Sequence, residues 1–134
     1  MSSIIWTRLA CIAVAGALGA LARWSLTAAI TKWAPAPWGT LVVNVLGCLV
    51  FGFLLGVMHE RVPLESPLRL LALTGFLGAF TTYSTFAFDT HMLFATNSAQ
   101  FHRAAGLALL NIVLHIALGW IALIAGISTA KLIG

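Results

Sequence analysis

The sequence predicts an all-α membrane protein with four transmembrane helices and little mass outside the bilayer. Of its 134 residues, 61% are hydrophobic and only 7% are charged, whereas roughly 25% of a typical soluble domain is charged. So few charged side chains cannot cover the surface of a soluble domain. Residues 33–59, 70–88 and 104–130 contain no Asp, Glu, Lys or Arg, and each stretch approaches or exceeds the ~20 residues that cross a hydrocarbon core.

The predicted spans cover about residues 4–30, 39–59, 70–94 and 104–127, in a single membrane domain of residues 1–134. The connections carry residues that end helices: Pro35 and Pro37, then Pro63 and Pro67, then Asn97-Ser98. The seven Lys and Arg residues are scattered singly, so we expect them to contact lipid headgroups and not nucleic acid.

The basic residues are almost evenly divided between the two membrane faces. One face carries Arg8, Arg61, Arg69 and Lys131, and the other carries Lys32, Arg103 and, at its end of the first span, Arg23. Because Lys and Arg asymmetry sets the orientation of a membrane protein, a balanced chain can insert both ways and pair with an inverted copy. The sequence therefore predicts an antiparallel, dual-topology homodimer. Its two inverted copies would give the inverted-repeat architecture that transporters often build within one chain.

The third span contains an unusual run of small and hydroxyl-bearing residues. Gly75 and Gly78 precede five successive hydroxyl residues, 81–85, in the middle of the membrane segment. Glycine and threonine are poor helix formers, and broken helices occur at membrane depth only where the freed backbone groups are buried or line a wet cavity. We therefore expect a helix break at residues 78–81 and a polar track along the following turn.

Helical spacing places aromatic rings beside this polar track. Tyr83 and Phe86 are three residues apart and share a face, while Thr81, Ser84 and Thr85 share another. Aromatic rings have electropositive edges, so two ring edges beside hydroxyl donors form a site for a small anion, without a cation that would trap it. The alternative is an aromatic pair packed in the core of the bundle.

Polar residues in the other spans are further candidates. The Asn44 amide can donate to an anion or hold helices together. An arginine side chain in the hydrocarbon core is energetically costly, so Arg23 either faces a water-filled vestibule or extends to the membrane interface. Asn111 and His115 lie on one stripe of the fourth span and are candidate pore contacts, with an interhelical hydrogen bond as the alternative role for His115.

Three motifs together resemble the Fluc (CrcB) family of fluoride channels. They are Gly19-x-x-x-Arg23, Gly39-Thr40 through Asn44 and Gly47, and Gly-Phe-x-Gly-x-x-Thr-Thr-x-Ser-Thr-Phe at residues 75–86. The resemblance covers the whole chain in length, span number and motif order. It implies a dual-topology homodimer with two antiparallel pores. These pores would export fluoride passively and so reduce its toxicity. The family also implies a location in the cell membrane, which would be the bacterial inner membrane.

The resemblance also implies roles for individual residues. A structural Na⁺ would lie where the two broken third helices cross, held by the backbone carbonyls of Gly78 and Thr81 from both subunits. By motif position, Tyr83 and Phe86 match the two pore phenylalanines. Asn44 matches the pore asparagine, Ser84 and Thr85 match the polar track, and Asp89 stands where a glutamate is usual.

The chain departs from the family pattern at three positions. Tyr83 replaces a phenylalanine, Ala79 replaces a second glycine in the break, and His115 replaces a small polar residue. The first departure bears on the polarity of the pore, and the third bears on the assignments in the fourth span.

Two other functions compete with a channel. A small dual-topology multidrug-type antiporter needs an intramembrane carboxylate, yet the first acidic residue is Glu60, in a loop, and the first two spans contain none. A non-conducting structural subunit would not need five hydroxyls beside a glycine-rich break. No nucleophile–base pair or cluster of metal-ligating side chains is evident, so we do not expect an enzyme.

Overall fold

The computed structural model describes residues 2–59, 61–64, 66–96 and 100–133 of the chain. Four helical stretches in this part are long and apolar enough to cross a membrane: Ile4–Thr31, Trp38–Met58, Pro67–Thr96 and Phe101–Leu132. The predicted four-span, all-helical architecture is confirmed. Glu60 and the predicted loop at Asn97-Ser98 lie outside the described residues.

Six α-helical segments and one π-helical segment build these spans. They are α1 (Ser2–Thr31), α2 (Trp38–Met58), α3 (Pro67–Arg69), the π-helical segment Leu70–Leu77, α4 (Gly78–Phe80), α5 (Tyr83–Thr96) and α6 (Phe101–Leu132). The third span therefore comprises α3, the π-helical segment, α4 and α5. It begins with a capped turn, because the Arg69 amide donates to Ser66 Oγ at 3.2 Å and Pro67 occupies the first turn.

The interior of the bundle consists mostly of small side chains, while large apolar side chains face outward. Ala15, Ala104 and Ala122 are among the buried residues, whereas Trp120 and Ile116 are exposed. This arrangement is typical of helices packed in lipid, where small residues let backbones approach and hydrocarbon surrounds the larger side chains.

Glycines at two interfaces permit close backbone approach. A Cβ atom added at Gly52 would collide with the Leu123 carbonyl of α6, and one added at Gly126 would collide with the Leu49 carbonyl of α2. Gly19 of α1 meets the Phe76 backbone of the third span in the same way. These contacts fix α2 against α6 and α1 against the third span, which places the break among three neighbouring helices.

The helix break lies later than predicted. Gly78–Phe80 remain helical, whereas Thr81 has φ −80° and ψ 156°, an extended conformation, and α5 begins at Tyr83. The predicted break at residues 78–81 is therefore confirmed only at its last residue, because a glycine weakens a helix without ending it. The irregularity before the break is instead π-helical, and the Gly78 amide donates to the Leu73 carbonyl five residues back.

Candidate functional site

Asn44 of α2 is hydrogen-bonded to the backbone at the break. Its Oδ1 accepts from the Thr82 amide at 2.8 Å, and its Nδ2 donates to the Thr82 carbonyl at 3.0 Å. One side-chain amide thus satisfies both polar backbone groups of a residue that lies outside the helix. Because an Asn amide has two N–H groups, one of them is not used in this pair.

Thr82 caps the second half of the broken span. Its Oγ1 accepts from the Thr85 amide at 3.2 Å, which is the N-cap arrangement for α5. The same hydroxyl lies 3.1 Å from Thr85 Oγ1 and 3.3 Å from Ser84 Oγ. The predicted polar residues Ser84 and Thr85 are therefore brought together, and Thr82 connects them.

Thr82 is the residue that the sequence prediction missed, although a threonine just before a helix start is a recognisable cap. Thr81, by contrast, turns its hydroxyl back to its own helix, where Oγ1 donates to the Leu77 carbonyl at 3.1 Å. The hydroxyls of the track are those of Thr82, Ser84 and Thr85.

Two carbonyls at the break lose the amides that would bond them in a continuous helix, and a third accepts from an arginine. The Thr82 amide, which would serve Gly78, donates to Asn44, and the Thr85 amide, which would serve Thr81, donates to Thr82 Oγ1. The Ala79 carbonyl accepts from Arg23 Nε at 3.1 Å. The two carbonyls predicted as Na⁺ ligands, those of Gly78 and Thr81, are thus the ones whose helical amides bond elsewhere.

Arg23 lines a cavity of about 210 Å³ next to the break. The other lining residues are Trp24, Thr27, Ala28, Thr40, Thr82 and Thr85. The cavity connects the predicted vestibule residue with two hydroxyls of the track. Thr40 also donates to Asp89 Oδ2 at 2.6 Å, and both residues are buried, with Asp89 8% exposed.

The aromatic residues of α5 continue into α6. The ring centroids of Tyr83 and Phe86 are 5.5 Å apart, and those of Phe86 and His115 are 4.4 Å apart. Tyr83 is 80% exposed on the surface of the subunit. We call these three residues the ring row, and its outer end is open for contact with another molecule.

Asn111 and His115 take part in a directed chain of hydrogen bonds. Thr90 Oγ1 donates to the Phe86 carbonyl at 2.8 Å, so it can only accept from Asn111 Nδ2, also at 2.8 Å. His115 Nδ1 lies 2.9 Å from the Asn111 carbonyl of the same helix, and because a carbonyl only accepts, Nδ1 carries the proton. His115 therefore makes its hydrogen bond within α6, not between helices as the alternative role required.

Membrane-spanning helices, an interrupted span and freed backbone groups beside a cavity define a membrane transport protein of the channel or transporter class. The family model described as CrcB-like protein, Camphor Resistance (CrcB), matches residues 10–127. The chain belongs to this family, and the family predicted from the three motifs is confirmed.

Relatives match the chain over nearly its full length. A protein named fluoride-specific ion channel FluC from Nitratidesulfovibrio vulgaris is 46% identical over 91% of this chain and 95% of its own length. Proteins of the same name from Nitrosococcus oceani and Solidesulfovibrio magneticus are 38% and 42% identical over 96% and 94% of this chain, and over 100% and 98% of their own lengths. These relatives are ion channels by name, so the expectation that the chain is not an enzyme is confirmed.

Proposed function

We propose that the protein is a fluoride-selective channel that lets fluoride leave the cytoplasm passively and so reduces its toxicity. The observation that carries this proposal is the pairing of near full-length relatives named fluoride-specific channels with a donor-lined helix break in this chain. The membrane would be the bacterial inner membrane, as the family resemblance implies.

Fluoride must exchange its water for donors of the protein as it enters a narrow pore. The remaining Asn44 N–H and the hydroxyls of Ser84 and Thr85 supply neutral donors, and the edges of Tyr83 and Phe86 supply weaker electropositive contacts. Chloride is larger and would meet fewer well-placed donors. Arg23 would attract the anion to the vestibule, since its guanidinium is held beside the cavity by the Ala79 carbonyl.

Two of the proposed pore residues lie on the outer face of one subunit, which supports a homodimer. Tyr83 is 80% exposed, and Ser84 and Gly78 are exposed as well. A polar face in contact with hydrocarbon is costly, so a second subunit would complete the walls. With the balanced basic residues, this favours an antiparallel partner and two pores of opposite direction.

A structural Na⁺ at the dimer centre fits the donor set of the break. The carbonyls of Gly78 and Thr81 have lost their helical amides, and unwound carbonyls are the groups that coordinate Na⁺ in discontinuous membrane helices. Two carbonyls from each subunit would give four oxygen ligands. The ion would hold the two breaks together.

Anion efflux from liposomes that contain the purified protein tests the proposal. We expect fluoride to leave without added energy or a proton gradient, while chloride stays inside. Equal flux of both anions, or none of either, would refute a fluoride-selective channel. Fluoride flux that requires an opposing proton gradient would indicate an antiporter.

A further inference from the structure

His115 has a polar atom that the rest of the structure does not use. Its Nε2 is buried and has no hydrogen-bond partner, while Nδ1 donates to the Asn111 carbonyl. A buried polar group without a partner is costly, so such an atom indicates that something else contacts it. The imidazole packs on Phe86, at the inner end of the ring row.

Because Nδ1 carries a proton that is donated to the Asn111 carbonyl, the protonation of Nε2 decides whether the ring attracts or repels an anion. In the neutral imidazole Nε2 carries a lone pair, which repels an anion, and in the imidazolium it carries a proton that can be donated. A cationic side chain inside a membrane protein is stabilised by a partner of opposite charge. An anion that moves along the edges of Tyr83 and Phe86 would be such a partner.

The other ionisable groups described near His115 do not form a hydrogen bond with its Nε2. The helices packed against α6 carry Cys48 on α2 and Tyr83, Asp89 and His91 on α5, and α6 itself carries His102, Arg103 and Lys131. Asp89 accepts from Thr40. Cys48 lies one turn away, where its Sγ would be 3.5 Å from a Cβ added at Gly119.

We propose that His115 is a proton-controlled anion ligand at the inner end of the ring row: its charged form binds the conducted fluoride through Nε2–H, and its neutral form does not. This inference rests on the proposed function. Because only the protonated ring can donate from Nε2, fluoride conduction by this chain increases as the pH falls.

Liposome flux at about pH 8 and about pH 5.5, on either side of the ordinary imidazole titration, tests the inference. Protein-free vesicles give the leak of neutral hydrogen fluoride, which is subtracted. The parent should conduct about tenfold faster at the lower pH, the change that about 1.4 kcal/mol of binding free energy produces. His115→Gln keeps an N–H donor that does not titrate, so its flux should be the same at both pH values.

His102→Gln is the matched control, because His102 is an exposed imidazole on the same helix, in edge-to-face contact with Phe101. It should keep the pH dependence of the parent. A parent flux that does not change with pH, or a His115→Gln flux that rises as the parent does, overturns the inference and leaves the channel intact. Absence of fluoride flux from the parent at both pH values overturns the proposed function, and this inference with it.

A second measurement uses the parent alone and does not depend on the folding of a variant. The chain has four histidines, so ¹⁵N-labelled imidazole resonances can be assigned by removing His59, His91 and His102 in turn. Fluoride added near the middle of the titration should shift the His115 signals toward the imidazolium form, and chloride should not. Unchanged His115 signals in a protein that conducts fluoride would overturn the inference.

Discussion

Asn44 gives the backbone of Thr82 two hydrogen bonds from one side chain. Its amide accepts from the Thr82 amide, which would otherwise have no helical partner at membrane depth, and donates to the Thr82 carbonyl. Serine or valine at this position could not make both bonds, because the bonds need a donor atom and a separate acceptor atom spaced as they are in a side-chain amide. Asn44 is thus both a structural clamp on the break and a candidate anion donor.

Replacement of Asn44 should therefore affect stability as well as conduction. Asn44→Ala leaves the Thr82 amide without its partner and removes one hydrogen bond to the Thr82 carbonyl, at a cost of about 1–3 kcal/mol in the free energy of unfolding. Thermal unfolding in detergent measures this loss, and liposome flux measures conduction. Thr129→Ala is the control, because its exposed hydroxyl bonds only to Ala125 of its own helix. An Asn44→Ala protein as stable as the control would contradict the role of Asn44 as a clamp.

Tyr83 tests whether the ring or the hydroxyl contacts the anion. If the ring edge matters, Tyr83→Phe should conduct about as well as the parent, and Tyr83→Ile, which keeps an apolar volume without the ring edge, should conduct much less. If the hydroxyl is a donor, its loss removes a charged hydrogen bond of about 1.5–3 kcal/mol, or roughly tenfold or more in flux. Flux of the two variants, with dimer formation checked, distinguishes these outcomes. A large loss in Tyr83→Phe would exclude the ring-edge account.

At the scale of elements, the sequence predicted the four spans and an interruption of the third, because hydropathy and hydroxyl content are local properties. It predicted a break over residues 78–81, of which only Thr81 is outside a helix. The end of α4 depends on Asn44, 38 residues away from Thr82, and no local propensity contains that contact. The π-helical segment Leu70–Leu77 was not predicted for the same reason, since its close approach to α1 at Gly19 and Gly75 is a tertiary property.

The candidate site divides in the same way. The pairing of Tyr83 with Phe86 follows from helical spacing and was predicted. The contact between Phe86 and His115 and the hydrogen bond of Asn111 to Thr90 join α5 to α6, and their geometry depends on the angle between the two helices. Thr82 was missed because its role as a cap follows only from the true end of the break.

If the break binds Na⁺ through its backbone carbonyls, removing a side chain should leave the Na⁺ dependence of flux intact. A substitution that disturbs the backbone of the break should lower it. Thr81→Ala removes a hydroxyl that bonds only within its own helix, and its Na⁺ dependence of flux should persist. Gly78→Val should lower that dependence, because a β-branched side chain would stand where the two breaks cross. Fluoride flux in Na⁺ against K⁺ is the measurement.

Gly106→Val is the matched control for Gly78→Val. Within one subunit a Cβ at Gly106 meets nothing within 4 Å, and one at Gly78 meets only the Leu73 carbonyl, at 3.7 Å. Neither substitution therefore clashes at its first added atom inside the subunit, and a defect confined to Gly78→Val points to the partner subunit. Loss of the Na⁺ effect in a folded Thr81→Ala protein would instead make the side chain a ligand.

At the scale of the whole molecule, the surface of a single chain favours the proposed homodimer. Its interior is filled with small residues, and the polar face around Gly78, Tyr83 and Ser84 is exposed. A soluble protein could leave such a face in water, but a membrane protein cannot leave it in hydrocarbon. A partner at this face would complete the proposed dimer, and the even division of the basic residues leaves both orientations available.

Dual topology predicts that every loop is found on both sides of the membrane. Cys11 and Cys48 are free thiols, so a background without them can carry one new cysteine at Ala36 or at Leu64, both exposed and located beyond opposite ends of α2. In sealed vesicles an impermeant thiol reagent should label about half of each variant, since an unbiased chain inserts equally in both directions. Permeabilised vesicles, in which all thiols react, serve as the control. The two variants must behave alike, because a fixed orientation would give full labelling of one loop and none of the other. That one-sided pattern in a protein that still conducts would refute the antiparallel dimer.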